Sequence, residues 1–413
     1  MKKKLFGLLS CAMLISLNAN SAEITNDNST GMENGTEVNG VAPTETTATQ
    51  SKDETGWEKV LKSLPKISGY LQTGWNWSKT SADGSHASSS FQAKRLRLIM
   101  DGNVGPIVDF RLQIEAFNGI SGSTNRNGQK NLQVMDAFAT IKLAPEFKIR
   151  AGQFYTPLGY ENYDISPKTL ETVDFSNIVY RMACRNPYEY NFVDYGRDLG
   201  VMLIGDAFDS GKGFRYLHYD VALTNGSLPS KDDRNSSKDF YLSATVRPVK
   251  NFNVKATFNW GKYSNQDLAG GNGLGEEGTK YNSLTRFVVG AWYNDPMGLD
   301  LRGEFGTMNS KVNGVKQVSE IGAYVFAGYH LGKWLPMVRW DMYKDNGEDA
   351  TGKKIRETTT NNYNRLLLGL NWNCLKNTRI MLNYHHFFYN NKFKVANGYD
   401  GNNQIQLMAQ FNF

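Results

Sequence analysis

Apolar and polar residues alternate with a period of two along many parts of the chain. The stretches VDFRLQIEAF (108–117), FNVKATFNW (252–260), GLDLRGEF (298–305) and QIQLMAQFNF (404–413) all show it. Side chains of a β-strand point alternately to opposite faces, so this pattern predicts strands with one apolar and one polar face. Charged residues recur on the polar face around the whole chain, which indicates that this face is in contact with water.

Sixteen strand-like segments follow one another between Lys66 and Phe413. They lie at about residues 66–78, 91–101, 107–117, 131–143, 147–157, 197–205, 214–224, 238–247, 251–263, 282–293, 298–308, 317–331, 335–344, 361–372, 377–389 and 402–413. Connections after even-numbered segments are short, such as APE (144–146), whereas those after odd-numbered segments are longer and polar, such as NSKVNGVK (309–316). This bias is typical of outer-membrane barrels with short periplasmic turns. A soluble sandwich lacks it, and no propeller repeat is found.

The sequence therefore predicts an all-β fold, a transmembrane antiparallel β-barrel of 16 strands over residues 66–413. In lipid, only a closed barrel lets every backbone group of a sheet find a partner. The apolar face of 404–413 would then meet lipid, and its Gln and Asn face would meet the lumen. Barrels of 16 strands enclose a water-filled channel, and no plug-sized apolar segment precedes Lys66, so we expect a pore.

The longest connection, residues 158–196, carries eight Tyr and Phe. This content is too aromatic for a free surface loop, so we expect an inward-folded constriction loop inside the barrel; disorder or a lid over the surface is the alternative. A helix is expected to start at Ser166-Pro167 and continue through KTLETV (168–173).

The N-terminal region has three parts. Residues 1–22 show the layout of a secretory signal peptide, with three lysines, an apolar run and small residues near the expected cleavage site; LLSC (8–11) resembles a lipoprotein cleavage site more weakly. The acidic stretch 23–56 has almost no large apolar side chain and is expected to be disordered. Residues 57–65 are expected to form a short helical segment that ends at Pro65. The mature protein is thus expected in the bacterial outer membrane.

Composition narrows the class further. The mean hydropathy is −0.49, and no apolar stretch of about 18 residues follows the signal peptide, which excludes a helical membrane protein. From Trp57 onward the chain has 42 basic and 33 acidic residues, a net charge of +9. This excess indicates either solubility or a barrel wall that attracts anions.

Strand parity places a set of basic residues on the lumen face. Rings of Arg and Lys favour anions, and a guanidinium fork fits phosphate oxygens. Acids share these faces, however, so pairs such as Arg302 with Glu304 and Arg339 with Asp341 are equally well explained as structural ion pairs of the wall. The predicted substrate or pore-lining residues are Arg95, Arg97, Arg111, Lys142, Lys148, Arg150, Lys255, Arg286, Arg302, Arg339, Arg365 and Arg379, of which Arg95, Arg97, Arg111 and Arg150 are the best candidates for a basic ladder.

Aromatic residues are expected to form belts that contact lipid or neighbouring subunits. The candidates are Tyr70, Trp75, Trp77, Trp260, Trp292, Trp340 and Trp372. Rings of this kind are amphipathic and gather at membrane interfaces.

Three stretches carry a resemblance to a known family. FQAKRLRLIMDGNVGPIVDFRLQIEAF (91–117), MDAFATIKLAPEFKIRAGQFYTPLGYEN (135–162) and RDLGVMLIGDAF (197–208) resemble the phosphate-selective porin O and P family of Gram-negative bacteria. The resemblance covers about residues 66–413 and implies a 16-stranded, trimeric porin that draws phosphate past basic residues. The expected partners are thus small anions and further copies of the chain, beside outer-membrane lipid and lipopolysaccharide. Phe413 also resembles the terminal signal read by the barrel-assembly machinery.

Other classes find less support. His218 and Asp220 share a strand face and form a weak dyad signal, but no Gly-x-Ser-x-Gly or HExxH motif is present. We therefore expect no enzyme, no cofactor, no metal and no nucleic-acid partner; a general non-selective porin, an outer-membrane barrel enzyme and an adhesin are the alternatives. Cys184 and Cys374 are expected to lie too far apart for a disulfide.

Overall fold

Sixteen antiparallel strands form a closed barrel in the computed structural model. The structure describes residues 64–79, 87–116, 132–183, 196–226, 236–263, 282–312, 315–348, 354, 363–390 and 402–413. The predicted signal peptide (1–22), the acidic leader (23–56), nearly all of segment 57–65, and Cys184 lie outside these residues. The other cysteine, Cys374, is free and half-buried.

Each predicted segment corresponds to one strand. The strands are β1 Lys66–Lys79, β2 Ser88–Val104, β3 Val108–Glu115, β4 Gln133–Ala144, β5 Phe147–Tyr155, β6 Arg197–Asp209, β7 Arg215–Thr224, β8 Asp239–Val249, β9 Phe252–Tyr263, β10 Asn282–Asn294, β11 Leu299–Val312, β12 Val315–Tyr329, β13 Trp334–Asp345, β14 Tyr363–Leu375, β15 Thr378–Tyr389 and β16 Asn403–Asn412. Every strand pairs with its neighbours in sequence, and β1 also pairs with β16. The predicted fold class is confirmed.

The seam between β1 and β16 closes the barrel. Its register runs from Tyr70 opposite Asn412 to Lys79 opposite Asn403. Gly69 and Phe413 extend it by exchanging backbone hydrogen bonds of 2.8 and 3.0 Å. Because the seam is paired, the sixteen described strands leave no edge open to lipid or to another chain.

The two faces of β16 show the alternation that the sequence predicts. Gln406, Met408 and Gln410 are buried on the inward face, whereas Leu407 and Phe411 are exposed on the outward face.

Two of the aromatic residues that were expected on the outward face, in the belts that contact lipid or other subunits, lie inside the barrel instead. Tyr70 and Trp292 are buried, because each shares the parity of inward-facing polar residues on its own strand.

Connections differ in length at the two ends of the barrel. At the short-turn end, two to five residues join each even-numbered strand to the next. At the opposite, long-loop end, most connections are longer, but β11 and β12 are joined by residues 313–314 alone, and Val312 pairs with Val315. The sequence prediction of a long polar loop there is wrong. Asn-Gly between two alternating runs is a strong signal for a two-residue hairpin, and it outweighs the polarity of the flanking residues.

An inner segment, residues 156–183, follows β5 and lies inside the barrel. It contains the short helix α1 (Tyr160–Tyr163) and a π-helical turn (Ile178–Ala183). Its apolar side chains are buried against inward-facing apolar residues of β10, β11 and β12. In the part of the chain that the structure describes, none of the helices has the length and apolar character needed to cross a membrane.

The helix predicted to start at Ser166-Pro167 is absent. Residues 166–170 form a single turn, in which the Leu170 N–H donates to the Ser166 carbonyl at 2.9 Å. Backbone groups that a longer helix would use bond to the wall instead: the Val173 N–H donates to Asn383 and the Glu171 carbonyl accepts from Asn371. Tertiary contacts therefore override the local helix signal.

Gly69→Val is expected to destabilise the seam. A Cβ atom at this position would lie 2.4 Å from the Arg97 carbonyl oxygen and 2.5 Å from the Phe413 ring. Overpacking of this kind costs about 1–3 kcal/mol, so the variant should unfold at a lower temperature in a heat-dependent gel-mobility assay. Leu71→Val, two residues along the same face, is the matched control. Equal unfolding temperatures for the two variants would contradict the seam packing.

Candidate functional site: the barrel interior

Glu304 of β11 holds the start of the inner segment. Its carboxylate accepts the backbone N–H groups of Tyr160 (2.6 Å) and Glu161 (3.1 Å) and the hydroxyl of Tyr324 (2.8 Å). A carboxylate at the first turn of α1 is favourable because the N–H groups there have no helical partner. Gly159 has a φ of 75°, and a Cβ there would lie 2.6 Å from Glu304, so glycine is required at this close approach.

Two predicted arginines form a buried ion-pair cluster at the middle of the segment. Arg339 and Arg365 share Asp341, at 2.9 and 2.6 Å. Arg339 also pairs with Glu161 at 3.3 Å, and both arginines donate to the Phe175 carbonyl, at 3.0 and 3.1 Å. These guanidinium groups therefore fasten the inner segment to β13 and β14.

Two carboxylates of the inner segment reach the wall through ion pairs. Glu171 pairs with Arg302, and Asp174 pairs with Lys94. Asp174 also accepts hydrogen bonds from Gln406 (2.7 Å). Burial acts to raise the pKa of both carboxylates, but the charges of Arg302 and Lys94 and the hydrogen bonds they donate outweigh burial, so both pKa values lie below their ordinary range.

The predicted basic residues divide into two groups. All lie on the inward face, and most are buried. Bonded to the inner segment are Arg95, Lys255, Arg286, Arg302, Arg339, Arg365 and Arg379. Bonded to other wall residues are Arg97 with Glu115, Arg111 with Asp101, Lys142 with Asp109, Lys148 with Asp206, and Arg150 with Thr140.

The proposed ion pairs of the wall are only partly as expected. Arg339 does pair with Asp341, two residues along the same face. Arg302 pairs instead with Glu171 of the inner segment and, at 3.9 Å, with Asp300. Glu304 is occupied by the backbone of α1. Adjacency on one strand face therefore does not predict ion-pair partners reliably when a segment inside the lumen supplies competing carboxylates.

A narrow gap remains between the inner segment and the wall formed by β1, β2 and β3. Two guanidinium groups, two phenol rings and an amide border it, and none of the residues lining it carries a carboxylate. The lining residues are Tyr70, Arg97, Ile99, Arg111, Gln113, Tyr155 and Ser166. The Tyr155 hydroxyl is buried and has no hydrogen-bond partner among the described residues.

Two of the four arginines expected to form a ladder therefore meet at the gap, Arg97 and Arg111. Arg95 lies under the Val173 carbonyl, and Arg150 stacks on the Phe138 ring at 4.3 Å. Sequence reasoning missed Tyr155, the last residue of β5, and Ser166, which lies within the inner segment. The signal that could have found them is the aromatic and glycine-containing run around residues 155–160, which must turn sharply into the lumen.

The weak catalytic signal at His218 has a structural explanation. His218 lies between Asp206, 2.9 Å from Nδ1, and Asp220, 3.2 Å from Nε2. Tyr163 of the inner segment also donates to Asp220 at 2.9 Å. Both ring nitrogens are therefore occupied by carboxylates, and neither is placed to activate a nucleophile.

A closed barrel of 16 antiparallel strands, apolar outside and charged inside, defines a porin of the bacterial outer membrane. The chain belongs to the phosphate-selective porin O and P family, whose model matches residues 70–413. The resemblance inferred from the sequence is thus confirmed, and both family and fold are those of channels. No curated protein matches the sequence significantly.

Solved structures, among them an anion-selective porin, share the fold at low sequence identity. OmpF of Salmonella typhi, in complex with daunomycin, is 14% identical with a TM-score of 0.59, covering 86% of this chain and 99% of that one. An anion-selective porin from Comamonas acidovorans is 12% identical with a TM-score of 0.55, covering 84% and 99%. The trimer form of OmpT from Vibrio cholerae is 11% identical with a TM-score of 0.51, covering 84% and 99%.

Glu304→Ala is expected to loosen the start of the inner segment. The change leaves two backbone N–H groups and the Tyr324 hydroxyl without their acceptor. Buried groups left unpaired cost about 1–3 kcal/mol, so amide exchange at residues 160 and 161 should accelerate about fivefold or more, as measured by hydrogen exchange. Glu146→Ala, at the exposed short-turn end, should leave their exchange unchanged. Full protection in Glu304→Ala would show that another group holds α1.

Acid is expected to release the middle of the inner segment. Because the pKa of Asp174 is lower in the bound segment than in a free chain, its stabilisation is complete above about pH 4, the ordinary Asp value. It is lost as the pH falls below that value and through the bound pKa. Hydrogen exchange of peptides covering 166–180 should therefore accelerate on acidification, and Asp174→Asn should show the faster exchange already at pH 7. Asp209→Asn, at an exposed pair with Arg215, is the control; if it matches Asp174→Asn, the Lys94 pair does not hold the segment.

Proposed function

We propose that the protein is a diffusion channel with a preference for small anions, phosphate among them, and that the gap beside Ser166 is its constriction. The single observation that supports this is the lining of the gap, whose charged residues are Arg97 and Arg111, while the carboxylates that pair with them, Glu115 and Asp101, are not among the lining residues. A solute passing between the inner segment and β1–β3 would meet two positive charges at close range. The anion-selective Comamonas porin has the same fold, and the family name specifies phosphate.

The chemistry of the gap suits an oxyanion. Guanidinium groups offer paired N–H donors in a geometry that matches two oxygens of one phosphate. The unpaired Tyr155 hydroxyl and the Gln113 amide supply further hydrogen-bond donors at the same level. Because several donors converge, a phosphate could exchange its water shell for protein donors in one step and leave by the same exchange.

A general, non-selective porin is the second candidate, and the ion pairs favour it. Arg97 lies 2.9 Å from Glu115, and Arg111 lies 2.7 Å from Asp101. A neighbouring carboxylate weakens the field of each guanidinium beyond a few ångströms. If this cancellation extends into the gap, anions and cations would pass about equally.

We further propose that the channel matures and assembles as an outer-membrane porin does. Removal of residues 1–22, recognition of Phe413 by the barrel-assembly machinery, contact with lipopolysaccharide and assembly into a homotrimer all fit an outer-membrane porin. The Phe413 ring is exposed at the seam, which supports its recognition by the assembly machinery. A trimer form of the structural neighbour OmpT supports assembly into three subunits. We propose no catalytic activity for this channel.

The test is the reversal potential of the purified protein in a planar bilayer under a KCl gradient, followed by phosphate titration. A unit charge about 6 Å from a permeating ion in water contributes roughly 0.7 kcal/mol, or about threefold in the permeability ratio. Arg111→Gln should therefore lower the anion-to-cation ratio about threefold, and Arg97→Gln combined with it should remove block by phosphate.

Arg215→Gln is the control, since Arg215 also pairs with a carboxylate, Glu146, but lies at the exposed short-turn end. It should leave selectivity unchanged. Anion selectivity that survives the double variant would reject the gap as the selective element. A wild-type channel without anion preference would favour the non-selective porin.

A further inference from the structure

Three tyrosines stand next to one another on the inward face of the barrel, at the long-loop end of β13, β14 and β15. Tyr343 lies opposite Tyr363, and Tyr363 lies opposite Tyr389, in the register of these strands. Each shares its strand parity with residues that are buried inside the barrel. Because neighbouring strands lie about 5 Å apart, these residues, called here the tyrosine row, form one continuous surface.

Packing fixes the rings of the row. Phe387, one inward position below Tyr389, is buried, and its ring centroid lies 5.4 Å from that of Tyr363 and 5.7 Å from that of Tyr389. The Tyr363 and Tyr389 rings are 5.8 Å apart, at 63° to each other, and the Tyr363 hydroxyl donates to Asn177 of the inner segment at 2.7 Å. The two rings therefore form a corner that is in place before a ligand arrives, which lowers the entropic cost of binding.

Two rings of the row remain accessible. Tyr363 and Tyr389 are half-buried, whereas Tyr343 is buried. Ligand sites in proteins are lined mainly by apolar and aromatic side chains, with a few polar groups that fix orientation. The accessible corner thus has the composition of a site for a ligand that has an apolar side.

The charges around the row select the class of ligand. Arg181 is half-buried, with its guanidinium 5.3 Å from the centroid of the Tyr343 ring, whereas Glu320 and Asp345, at the same end of β12 and β13, are at most 2% exposed. Aromatic faces attract cations, but of these three charged groups the one that a ligand can reach is positive and would repel a second cation. The faces of aromatic rings are negative, so an anion gains nothing by lying on them. A neutral ligand is therefore favoured.

A sugar ring meets these requirements. Its faces carry C–H groups, which are weakly positive and pack on the negative face of an aromatic ring. Its rim carries hydroxyl groups, two of which can accept hydrogen bonds from one guanidinium fork. A flat aromatic ligand fits less well, because two rings at 63° do not form a flat platform.

We propose that the tyrosine row binds a neutral sugar at the outer mouth of the pore, with the C–H face of the sugar ring on Tyr363 and Tyr389 and its hydroxyl groups towards Arg181. The long-loop end faces the cell exterior in bacterial barrels, so a solute meets the row before it enters the gap. None of the residues that line the gap belongs to the row. The site therefore does not depend on the anion preference of the channel.

Ion current through the purified protein in a planar bilayer tests the site, with maltotriose as the probe in KCl solution. Wild-type protein is expected to show a saturable decrease of the current as the maltotriose concentration rises, because a bound sugar obstructs the mouth. The double variant Tyr363→Ala, Tyr389→Ala should raise the half-blocking concentration about tenfold, since both ring contacts are lost. Tyr363→Phe keeps the ring and removes only the hydroxyl that donates to Asn177, so its block should match that of the wild type.

Tyr216→Ala is the matched control, since Tyr216 is an exposed tyrosine at the short-turn end. It should leave block by maltotriose unchanged. Arg111→Gln, which alters the gap, should also leave the block unchanged, so that the sugar site and the anion constriction can fail separately. The current before sugar is added confirms that each variant forms a folded pore.

Three results would overturn the proposal. The first is a wild-type current that maltotriose does not lower in a saturable way. The second is block of the double variant at the wild-type concentration, or loss of block in Tyr363→Phe or Tyr216→Ala equal to that in the double variant, since the two rings would then not hold the sugar. The third is block by tetramethylammonium at a lower concentration than by maltotriose, which would make the row a cation site.

Discussion

Closure of the barrel at the β1–β16 seam is the constraint on which the rest of the structure depends. Hydrocarbon offers no hydrogen-bond partners, so each backbone group of the sheet must find one within the sheet. Once the seam is paired, the outward face needs only apolar side chains, and the polar residues of every strand are enclosed together. Burial of so many charged groups then becomes the main electrostatic problem of the fold.

The inner segment is largely the solution to that problem. A buried guanidinium without a counter-charge is strongly destabilising, and Arg302 and Arg339 of the wall find counter-charges on the inner segment. Glu161, Glu171 and Asp174 provide the missing negative charge from within the lumen. Glu161 and Glu171 thereby fix the segment to β13 and β11, and Asp174 fixes it to Lys94 of β2, while the gap remains where the segment passes Arg97 and Arg111.

Strand number, parity and closure could all be predicted from the sequence, because a period of two is enforced by the two solvents on the two faces. The position of a residue in the alternating pattern predicts which face of the barrel it occupies. It predicts neither the residue's ion-pair partner nor its height relative to the inner segment. Arg302 shows this limit: Glu304, its neighbour on the same face, bonds to α1, while Glu171, far away in sequence, becomes its partner. Ser166 was likewise expected at a helix start, yet it borders the gap, because wall side chains bind the backbone that a helix would have used.

The seam also has a consequence for the order of events during folding. Gln72 and Gln410 hydrogen-bond at 2.7 Å although 338 positions separate them. Hairpins between neighbouring strands are local and can form early, but this contact requires nearly the whole sheet to be present. A chain whose synthesis or export stops before β16 thus keeps two unpaired strand edges. The charged side chains that the closed barrel would bury also remain accessible to other chains. Assembly is therefore all-or-none, and a stalled barrel is an aggregation hazard that the cell must remove.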